Sequence, residues 1–290
     1  MAPALHALLD SAASRLATRS ATPQLDAQVL LAHVVGRTRT WVMAHTDASP
    51  DAKQERRLEA MLQRLEQGEP LPYVLGHQEF FGLDFDLTPD VLIPRPETEL
   101  LVRRALDWME ASADRRTIAD VGTGSGCIAV SIAVHVADAH ILATDISLPA
   151  LQTARANARK FGVADRIELV QCDILPPHAA GLSTEQHLDL ICANLPYIPT
   201  RQLRSLPVFA HEPSLALNGG TDGLDPFRRF FAVAPIWMAP GGLMLLEIEA
   251  AKGSAALSLA YDAFHSAAIH LHKDLSNRDR LLEIQLNGLV

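Results

Sequence analysis

The stretch Asp120-Val-Gly-Thr-Gly-Ser-Gly126 is the most informative part of this sequence. The apolar residues around it predict a short strand over Thr117–Asp120 and a helix over Cys127–Val136. Glycines between a strand and a helix let the backbone turn sharply and let a ligand approach closely. The first turn of the helix adds free N–H groups as hydrogen-bond donors. The stretch therefore predicts a ligand-binding loop at the end of a strand.

The spacing of the glycines distinguishes between two kinds of ligand. A dinucleotide-binding loop of the G-x-G-x-x-G/A type needs glycine or alanine where this chain has Cys127. The observed order, an acidic residue followed by G-x-G-x-G, is typical of S-adenosylmethionine-dependent methyltransferases. Asp145 ends the next predicted strand, where its carboxylate can accept hydrogen bonds from two ribose hydroxyls. A glycine-rich turn without a ligand is the alternative, and the position of Asp145 disfavours it.

Outward from this loop, strands and helices alternate, which predicts an α/β fold with a doubly wound, mostly parallel sheet. The last two strands are expected to form an antiparallel hairpin through Ser276-Asn277. Seven strands are predicted: Thr117–Asp120, Ile141–Asp145, Ile167–Cys172, Leu188–Ala193, Leu243–Ile248, Ala268–Leu275 and Leu281–Leu286.

The chain before residue 97 has a different pattern. Residues 1–75 predict a small helical bundle, as the helical spacing of Leu58, Met61 and Leu65 illustrates. Residues 76–96 alternate between apolar and polar side chains and predict a β-hairpin connector. The remaining residues, 97–290, are then expected to form the methyltransferase domain.

Composition limits the class of protein. The 290 residues are 48% hydrophobic, enough for two domains with real cores, and intrinsic disorder is disfavoured. A formal net charge of −9 argues against stable nucleic-acid binding through broad phosphate neutralisation. The apolar run Cys127–Ala137 is far shorter than the ~20 residues of a membrane span, and the N-terminus lacks a signal-peptide pattern. We expect a cytoplasmic, monomeric protein without membrane association.

The cysteines and histidines predict neither a disulfide framework nor a metal site. Cys127, Cys172 and Cys192 are few and scattered, and all three fall in apolar segments, so small core residues are expected. The twelve histidines lack metal-binding spacing, and His270 and His272 are expected to face solvent as a pair.

A second chemical motif, Asn194-Leu-Pro-Tyr197, follows the predicted strand Leu188–Ala193. Ligands of doubly wound sheets lie beyond the carboxyl ends of the strands, so this tetrad is expected beside the cofactor. The side-chain oxygen of Asn194 and a nearby backbone carbonyl can each accept one N–H of a planar amide or amine. Pro196 stiffens the backbone, and the ring of Tyr197 can stack on the planar group. The alternative is an ordinary Asn-x-Pro turn, which the glycine loop upstream disfavours.

Further motifs occur in order along the chain: Tyr73-Val-Leu-Gly76, Glu79-Phe-Phe-Gly82, Leu92-Ile-Pro-Arg-Pro-Glu-Thr-Glu99, Glu212-Pro-Ser-Leu-Ala-Leu217, Gly219-Gly-Thr-Asp-Gly-Leu224 and Asp274-Leu-Ser-Asn-Arg-Asp-Arg280. Together with the tetrad they resemble the release factor glutamine methyltransferase family, the HemK/PrmC type. The resemblance covers essentially the whole chain, including an N-terminal bundle with Asp26-Ala27 and Leu30-Leu31.

The resemblance implies a seven-stranded, Rossmann-like class I methyltransferase domain, with the bundle used for substrate recognition. It implies S-adenosylmethionine as the cofactor and class I peptide chain release factors as the protein substrate. The methyl acceptor is then the side-chain amide nitrogen (N5) of the glutamine in their Gly-Gly-Gln motif.

The resemblance also assigns residues. The cofactor site would contain Gly122, Thr123, Gly124, Ser125, Gly126, Asp145, Asp173, Ile174 and Asn194. The substrate glutamine would be held by Asn194, Leu195, Pro196 and Tyr197, with Asn194, Pro196 and Tyr197 as the catalytic residues. Arg95, Glu97 and Thr98 are expected to line the site.

This chain departs from the family pattern at three places. Leu195 replaces the first proline of the tetrad, and Ile174 stands where some members have an aromatic residue. The segment 247–252, Glu-Ile-Glu-Ala-Ala-Lys, also differs, and no role is assigned to it.

Three other functions stay open from the sequence. The first is methylation of a glutamine in a ribosomal protein, and the second is methylation of an amino group in DNA or RNA. The third is a cofactor-binding regulatory protein without enzymatic activity. The intact Pro94–Glu99 segment favours a release factor as substrate, and Asn194, Pro196 and Tyr197 disfavour a decayed active site.

Overall fold

The computed structural model describes residues 3–176, 187–206 and 210–288. The chain divides into two compact units, Met1–His77 and Gln78–Val290. In the described residues, no helix is both long enough and apolar enough to cross a membrane.

The first unit is a helical bundle, made of α1 (Leu5–Leu16), α2 (Pro23–Val35), α3 (Arg39–Ala44), α4 (Ala52–Glu66) and α5 (Leu71–Leu75). Helix α4 begins with a capping box, in which Asp51 accepts from the backbone N–H of Gln54 and the Gln54 side chain accepts from that of Asp51. Helix α2 ends at Gly36, whose φ of +67° suits the left-handed conformation that stops a helix. The helices share one apolar core, which includes Leu5, Leu16, Leu30, Leu31, Leu58 and Leu62.

The second unit starts with a hairpin and continues as an α/β sheet. The hairpin pairs β1 (His77–Phe80) with β2 (Leu83–Asp86). The sheet strands are β3 (Thr117–Val121), β4 (His140–Asp145), β5 (Ile167–Gln171), β6 (Leu188–Ala193), β7 (Met238–Glu247), β8 (Ala268–Lys273) and β9 (Asp279–Gln285). The helices are α6 (Glu99–Glu110), α7 (Cys127–His135), α8 (Leu148–Lys160), α9 (Thr200–Leu203), α10 (Ser214–Leu217), α11 (Asp225–Trp237) and α12 (Gly253–Ala263).

The strand order of the sheet is β5-β4-β3-β6-β7-β9-β8. Strands β3 to β7 are parallel, and β9 pairs antiparallel with both β7 and β8. This arrangement confirms the predicted doubly wound, seven-stranded sheet with a final hairpin. Strand β3 lies between β4 and β6, so the connections leave it in opposite directions. A crevice for a ligand is expected at its carboxyl end.

Side chains of β3 alternate between two cores, one on each face of the sheet. Ile118 packs with α6, α7 and α8, whereas Ala119 and Val121 pack with α11 and α12. Because both faces are covered, the central strands are mostly apolar, as the sequence shows.

The hairpin β1–β2 belongs to the larger unit. Phe80 and Phe85 are fully buried in the core formed by α6, α7 and α8. Asn157 of α8 fastens β2 further, because its side chain accepts from the N–H of Asp86 and donates to the Asp86 carbonyl. The segment that the sequence marks as a connector is thus packed onto the domain that follows it.

Most predicted strand boundaries lie within two residues of the observed ones, and the start of β7 is the exception. Strand β7 begins at Met238, not at Leu243, so the glycine-rich segment 240–242 lies inside it. The register shifts there, since Leu188 pairs with Met238 while Leu190 pairs with Leu243. The pairing is irregular at this point, because β7 advances five residues while β6 advances two.

Candidate active site

A cavity of about 460 Å³ lies at the carboxyl ends of β3, β4 and β6. Its wall contains most of the site residues that the sequence predicts: Arg95, Thr98, Gly122, Thr123, Gly124, Ser125, Asp145, Asp173, Ile174, Asn194, Leu195 and Pro196. Glu97, Gly126 and Tyr197, which are also predicted site residues, do not line it. The topology thus brings four separate loops and the segment before α6 to one place.

The glycine loop owes its shape to positive φ angles. Gly122, Gly124 and Gly126 have φ values of +74°, +57° and +81°, where side chains with a Cβ are strained. Gly126 precedes α7, and a Cβ there would lie 3.2 Å from Cα of Ala154 in α8. Gly126 therefore serves the close packing of two helices, while Gly122 and Gly124 line the cavity.

Asp120 holds the loop from beneath. It is fully buried, and its Oδ2 accepts from the Thr123 hydroxyl at 2.7 Å and from the Ala129 N–H at 3.1 Å. Burial raises the pKa of this carboxyl to about 6, against the opposing effect of those two donors. Asp120 thus connects the loop to the first turn of α7.

Asp145 lies at the end of β4 and lines the cavity. Its two oxygens accept from the backbone N–H groups of Gly124 and Ser147, each at 2.9 Å. Burial raises the pKa of Asp145, and the backbone donors lower it. These contacts fix the carboxylate against the glycine loop, while each oxygen keeps a lone pair for a further donor.

The loop after β5 forms another part of the wall. Ile174 has a φ of +64°, and its carbonyl accepts from the Thr144 hydroxyl at 2.6 Å. Asp173 lies 3.4 Å from Arg229, which also lines the cavity. The sequence contains no signal for Arg229, because it lies within α11 and belongs to none of the quoted motifs.

The cysteine prediction is confirmed for Cys192, is partly confirmed for Cys127, which packs against the core of α6, α7 and α8, and is wrong for Cys172. Cys192 is fully buried in β6. Cys127 and Cys172 are half-buried and line the cavity. Cys127 is the first residue of α7, after the glycine loop, and Cys172 directly follows β5. The histidine prediction is also partly wrong, since His272 contacts the buried Glu283 at 2.9 Å.

Asn194 is held by two residues from other parts of the chain. Its Nδ2 donates to the Thr98 hydroxyl at 3.1 Å and to Glu247 at 3.0 Å. Thr98 in turn donates to the same Glu247 oxygen at 2.5 Å. The sequence assigns no role to Glu247, the last residue of β7. The signal that marks it is an acidic residue at the end of an apolar strand.

The carboxyl group of Glu247 is only 2% exposed. Burial raises its pKa to about 7, while the Thr98 hydroxyl and Arg280 lower it. Since Asn194 lines the cavity, this carboxylate sits one side chain away from the place where a ligand binds.

Tyr197, the last residue of the tetrad, is half-buried and packs against the core that contains α11 and α12. Burial and the Glu247 carboxylate raise the pKa of its hydroxyl to about 12. The glycines of the 219–224 motif allow the backbone to approach it, because a Cβ on Gly219 would lie 2.7 Å from its Cα. This geometry favours a supporting position for Tyr197 beneath the cavity wall.

An ion pair joins two segments of the wall. The Arg95 guanidinium contacts Oε1 of Glu212 at 2.5 Å, and the Glu212 side chain is almost fully buried. Glu212 also accepts from the Ile93 N–H at 3.4 Å. The motifs containing Arg95 and Glu212, far apart in sequence, therefore meet at the site.

Comparisons with known proteins agree with this geometry. Residues 7–76 match the family model described as PrmC N-terminal domain, and residues 97–205 match that of Ribosomal protein L11 methyltransferase (PrmA). The chain is 42% identical over 278 residues to the release factor glutamine methyltransferase of Moorella thermoacetica, which covers 95% of this chain and 96% of that one. It is 37% identical over 260 residues to that of Bordetella pertussis, with 89% and 93% covered.

Solved structures show the same fold at low sequence identity. The hMettl16 catalytic domain in complex with a MAT2A 3′UTR hairpin has a TM-score of 0.55 at 13% identity, with 82% of each chain covered. The T. thermophilus 16S rRNA methyltransferase RsmC in complex with AdoMet and guanosine has a TM-score of 0.51 at 15% identity. That match covers 73% of this chain and 50% of RsmC.

Proposed function

The chain belongs to the release factor glutamine methyltransferase family, and we propose that it methylates the side-chain amide nitrogen of a glutamine in class I peptide chain release factors. The acceptor is the glutamine of their Gly-Gly-Gln motif, and the methyl donor is S-adenosylmethionine. The enzyme thereby supports translation termination.

The observation that carries this proposal is the orientation of the Asn194 side chain. Its Nδ2 donates to both the Thr98 hydroxyl and Glu247, which lie on the same side of the amide. The side-chain oxygen is therefore the group that remains to accept a hydrogen bond from a substrate N–H. Because Asn194 lines the cavity beside the glycine loop, that acceptor lies where an amide has to be held for methyl transfer.

The cavity residues fit S-adenosylmethionine. Asp145 offers a fixed carboxylate for ribose hydroxyls, and Asp173 and Ile174 line the adjoining wall, where we place the adenine. The segment 122–125 would hold the methionine part. Its Ser125 has a buried hydroxyl without a hydrogen-bond partner in the described chain, which a bound ligand can satisfy.

S-adenosylmethionine supplies an electrophilic methyl group bonded to a sulfonium. The substrate amide is a weak nucleophile, because its nitrogen lone pair is delocalised into the carbonyl. The chain's own residues act by orientation: Asn194 and a backbone carbonyl of the tetrad each accept one N–H, and Pro196 stiffens that backbone. Such positioning contributes about 7–11 kcal/mol in favourable cases. A strong base is not required, since the proton leaves after the methyl group has arrived.

The test is methyl transfer from labelled S-adenosylmethionine to four acceptors. These are a release factor, the same factor with alanine in place of the Gly-Gly-Gln glutamine, a ribosomal protein mixture and duplex DNA. We expect label in the unmodified release factor alone. Label in the DNA, or equal label in both release factors, would contradict the proposal.

A ribosomal protein is the second candidate substrate. The specific observation in its favour is the match of residues 97–205 to the model of a ribosomal protein methyltransferase. The first unit disfavours it, because residues 7–76 match the PrmC N-terminal domain instead. Stronger labelling of the ribosomal protein mixture than of the release factor would reverse this order.

A further inference from the structure

The side chain of Asn194 can present either its oxygen or its nitrogen to a substrate, and a neighbouring group has to decide which. We propose that Glu247 is the positioning residue that fixes the Asn194 amide with its oxygen toward the substrate. This inference rests on the proposed function, in which that oxygen accepts an N–H of the substrate glutamine.

The hydrogen bonds among Asn194, Thr98 and Glu247 have a fixed direction, with the Glu247 carboxylate as the final acceptor. The Thr98 hydroxyl donates to Oε2 of Glu247, so its own oxygen accepts from Nδ2 of Asn194. Nδ2 also donates directly to Oε2 of Glu247 at 3.0 Å. An ionised carboxylate has no proton to donate, so every group that faces it has to be a donor.

The consequence for Asn194 is a fixed orientation. If its amide turned over, the side-chain oxygen would face the Glu247 carboxylate and the Thr98 oxygen, both of which are acceptors. Two buried acceptors without a donor between them are strongly unfavourable. A protonated Glu247, or a glutamine at this position, removes this restriction, because it has a donor for the oxygen of the turned amide.

Glu247 is buried and lacks an ion-pair partner within 4 Å among the side chains that the structure describes. The charged groups that act on it from neighbouring elements are Arg280 and Arg95, which favour its ionised form, and Glu97, which disfavours it. The charge of Glu247 also contributes to the raised pKa values of Tyr197 and Cys127. Burial outweighs these effects and raises the pKa of Glu247 to about 7, so the carboxylate becomes mostly ionised as pH rises through this value.

The first experiment is the pH profile of the full-length enzyme with a release factor as substrate. For the wild type we expect kcat to rise about tenfold through a single ionisation near pH 7 and to level off above it. A kcat that falls as pH rises from 6 to 8 would overturn the inference, because ionisation of Glu247 would then disfavour the productive orientation of Asn194. This measurement needs no substitution.

The second experiment is Glu247→Gln, which keeps the shape and adds a donor. At pH 8 we expect kcat to fall roughly 10- to 100-fold, because a misplaced amide no longer orients the substrate. The Kd for S-adenosylmethionine should stay within about twofold, since the glycine loop and Asp145 are untouched. The ionisation near pH 7 should disappear from the profile of the variant, which a merely structural role for Glu247 does not explain.

The matched control is Glu283→Gln, on the neighbouring strand β9. Glu283 is equally buried, but its carboxylate contacts Arg104 and His272 rather than Thr98 and Asn194. This variant should keep both the kcat of the wild type and its ionisation near pH 7. Thr98→Val is a second variant, which removes the shared hydroxyl, and it should lower kcat while that ionisation persists.

The variant Asn194→Ala distinguishes a failure of the proposed function from a failure of the inference about Glu247. If Asn194→Ala keeps wild-type turnover, the proposed function of Asn194 fails and the inference fails with it. If Asn194→Ala loses turnover but Glu247→Gln matches the wild type at every pH, only the inference fails. The expected result is that adding Glu247→Gln to Asn194→Ala causes no further loss, because both changes remove the same oriented acceptor.

Discussion

At the scale of single residues, two kinds of constraint operate around the cavity. The first is steric: glycines stand where the backbone has a positive φ or where another segment approaches closely, as at Gly126 and Gly219. The second is electrostatic: Asp120 and Glu247 are acids that the fold buries beside the site. Both constraints lower stability relative to an ordinary core, and both shape the place where a ligand binds.

The steric constraint predicts different effects of two alanine substitutions in one loop. Gly126→Ala should lower the free energy of unfolding by about 2–4 kcal/mol, because strain at positive φ adds to an overlap with Ala154. Gly124→Ala is the matched control, because its φ is also positive but an added Cβ meets no atom within 4 Å. It should lower stability by only about 1 kcal/mol. Urea unfolding without cofactor measures both, and equal losses would contradict the packing role of Gly126.

The electrostatic constraint predicts that Glu247→Gln raises stability above neutral pH. Burial raises the folded-state pKa of Glu247 from 4.5 to about 7, so wild-type stability falls as pH rises through this range. Glutamine does not titrate. The free energy of unfolding of the variant, relative to wild type, should therefore increase by on the order of 2–3 kcal/mol between pH 4.5 and 8.

Asp120 titrates in both of these proteins, so its contribution cancels from the comparison. Denaturant unfolding of wild type and Glu247→Gln at the two pH values measures the change. A difference in stability that does not depend on pH would show that the Glu247 carboxylate has an unshifted pKa in the folded state.

At the scale of elements, buried polar side chains join segments that are apart in sequence. Asn157 of α8 bonds to the backbone of β2, and it also donates to the Ser125 carbonyl of the glycine loop at 2.9 Å. Arg95 and Glu212 join the segment before α6 to the loop before α10. These bonds explain why the hairpin belongs to the larger unit, even though its sequence has the pattern of a connector.

Asn157→Ala should lower the free energy of unfolding by about 2–4 kcal/mol, because it leaves the Asp86 N–H and two carbonyls without their partner. Asn157→Asp is the matched variant. It keeps the acceptor for the Asp86 N–H but places an acceptor against the two carbonyls, so it should be at least as destabilising. Thermal and urea unfolding measure both, and a loss below about 0.5 kcal/mol in Asn157→Ala would contradict the joining role.

At the scale of the whole molecule, the division of labour between the two units is the main feature. All residues that line the cavity come from the second unit, and the first unit has a closed apolar core of its own. The family models match the chain in the same two parts, at residues 7–76 and 97–205.

This division predicts where S-adenosylmethionine slows hydrogen exchange. At a concentration of 100 Kd, bound ligand stabilises the closed state by about 2.7 kcal/mol, which corresponds to roughly 100-fold slower exchange where opening releases the ligand. We expect this in the segments 120–128, 144–147 and 193–197. Helices α1 to α4 should exchange at the unliganded rate, and equal protection throughout the chain would contradict this assignment.

Local sequence signals determined the fold class, the glycine loop, Asp145 and the Asn194 tetrad, whereas the family resemblance supplied the other predicted residues of the cavity wall. The strands are apolar runs, the loop glycines have a characteristic spacing, Asp145 ends one strand and Asn194 follows another, so short-range rules suffice for them. Only the tertiary structure showed that Arg229 and Cys127 line the same cavity as Asn194, that Glu247 accepts from Asn194, and that Gly126 serves helix packing. The physical reason is that burial, pKa and hydrogen-bond direction depend on which distant elements meet. That depends on the packing of the whole sheet and its helices, which no local pattern records.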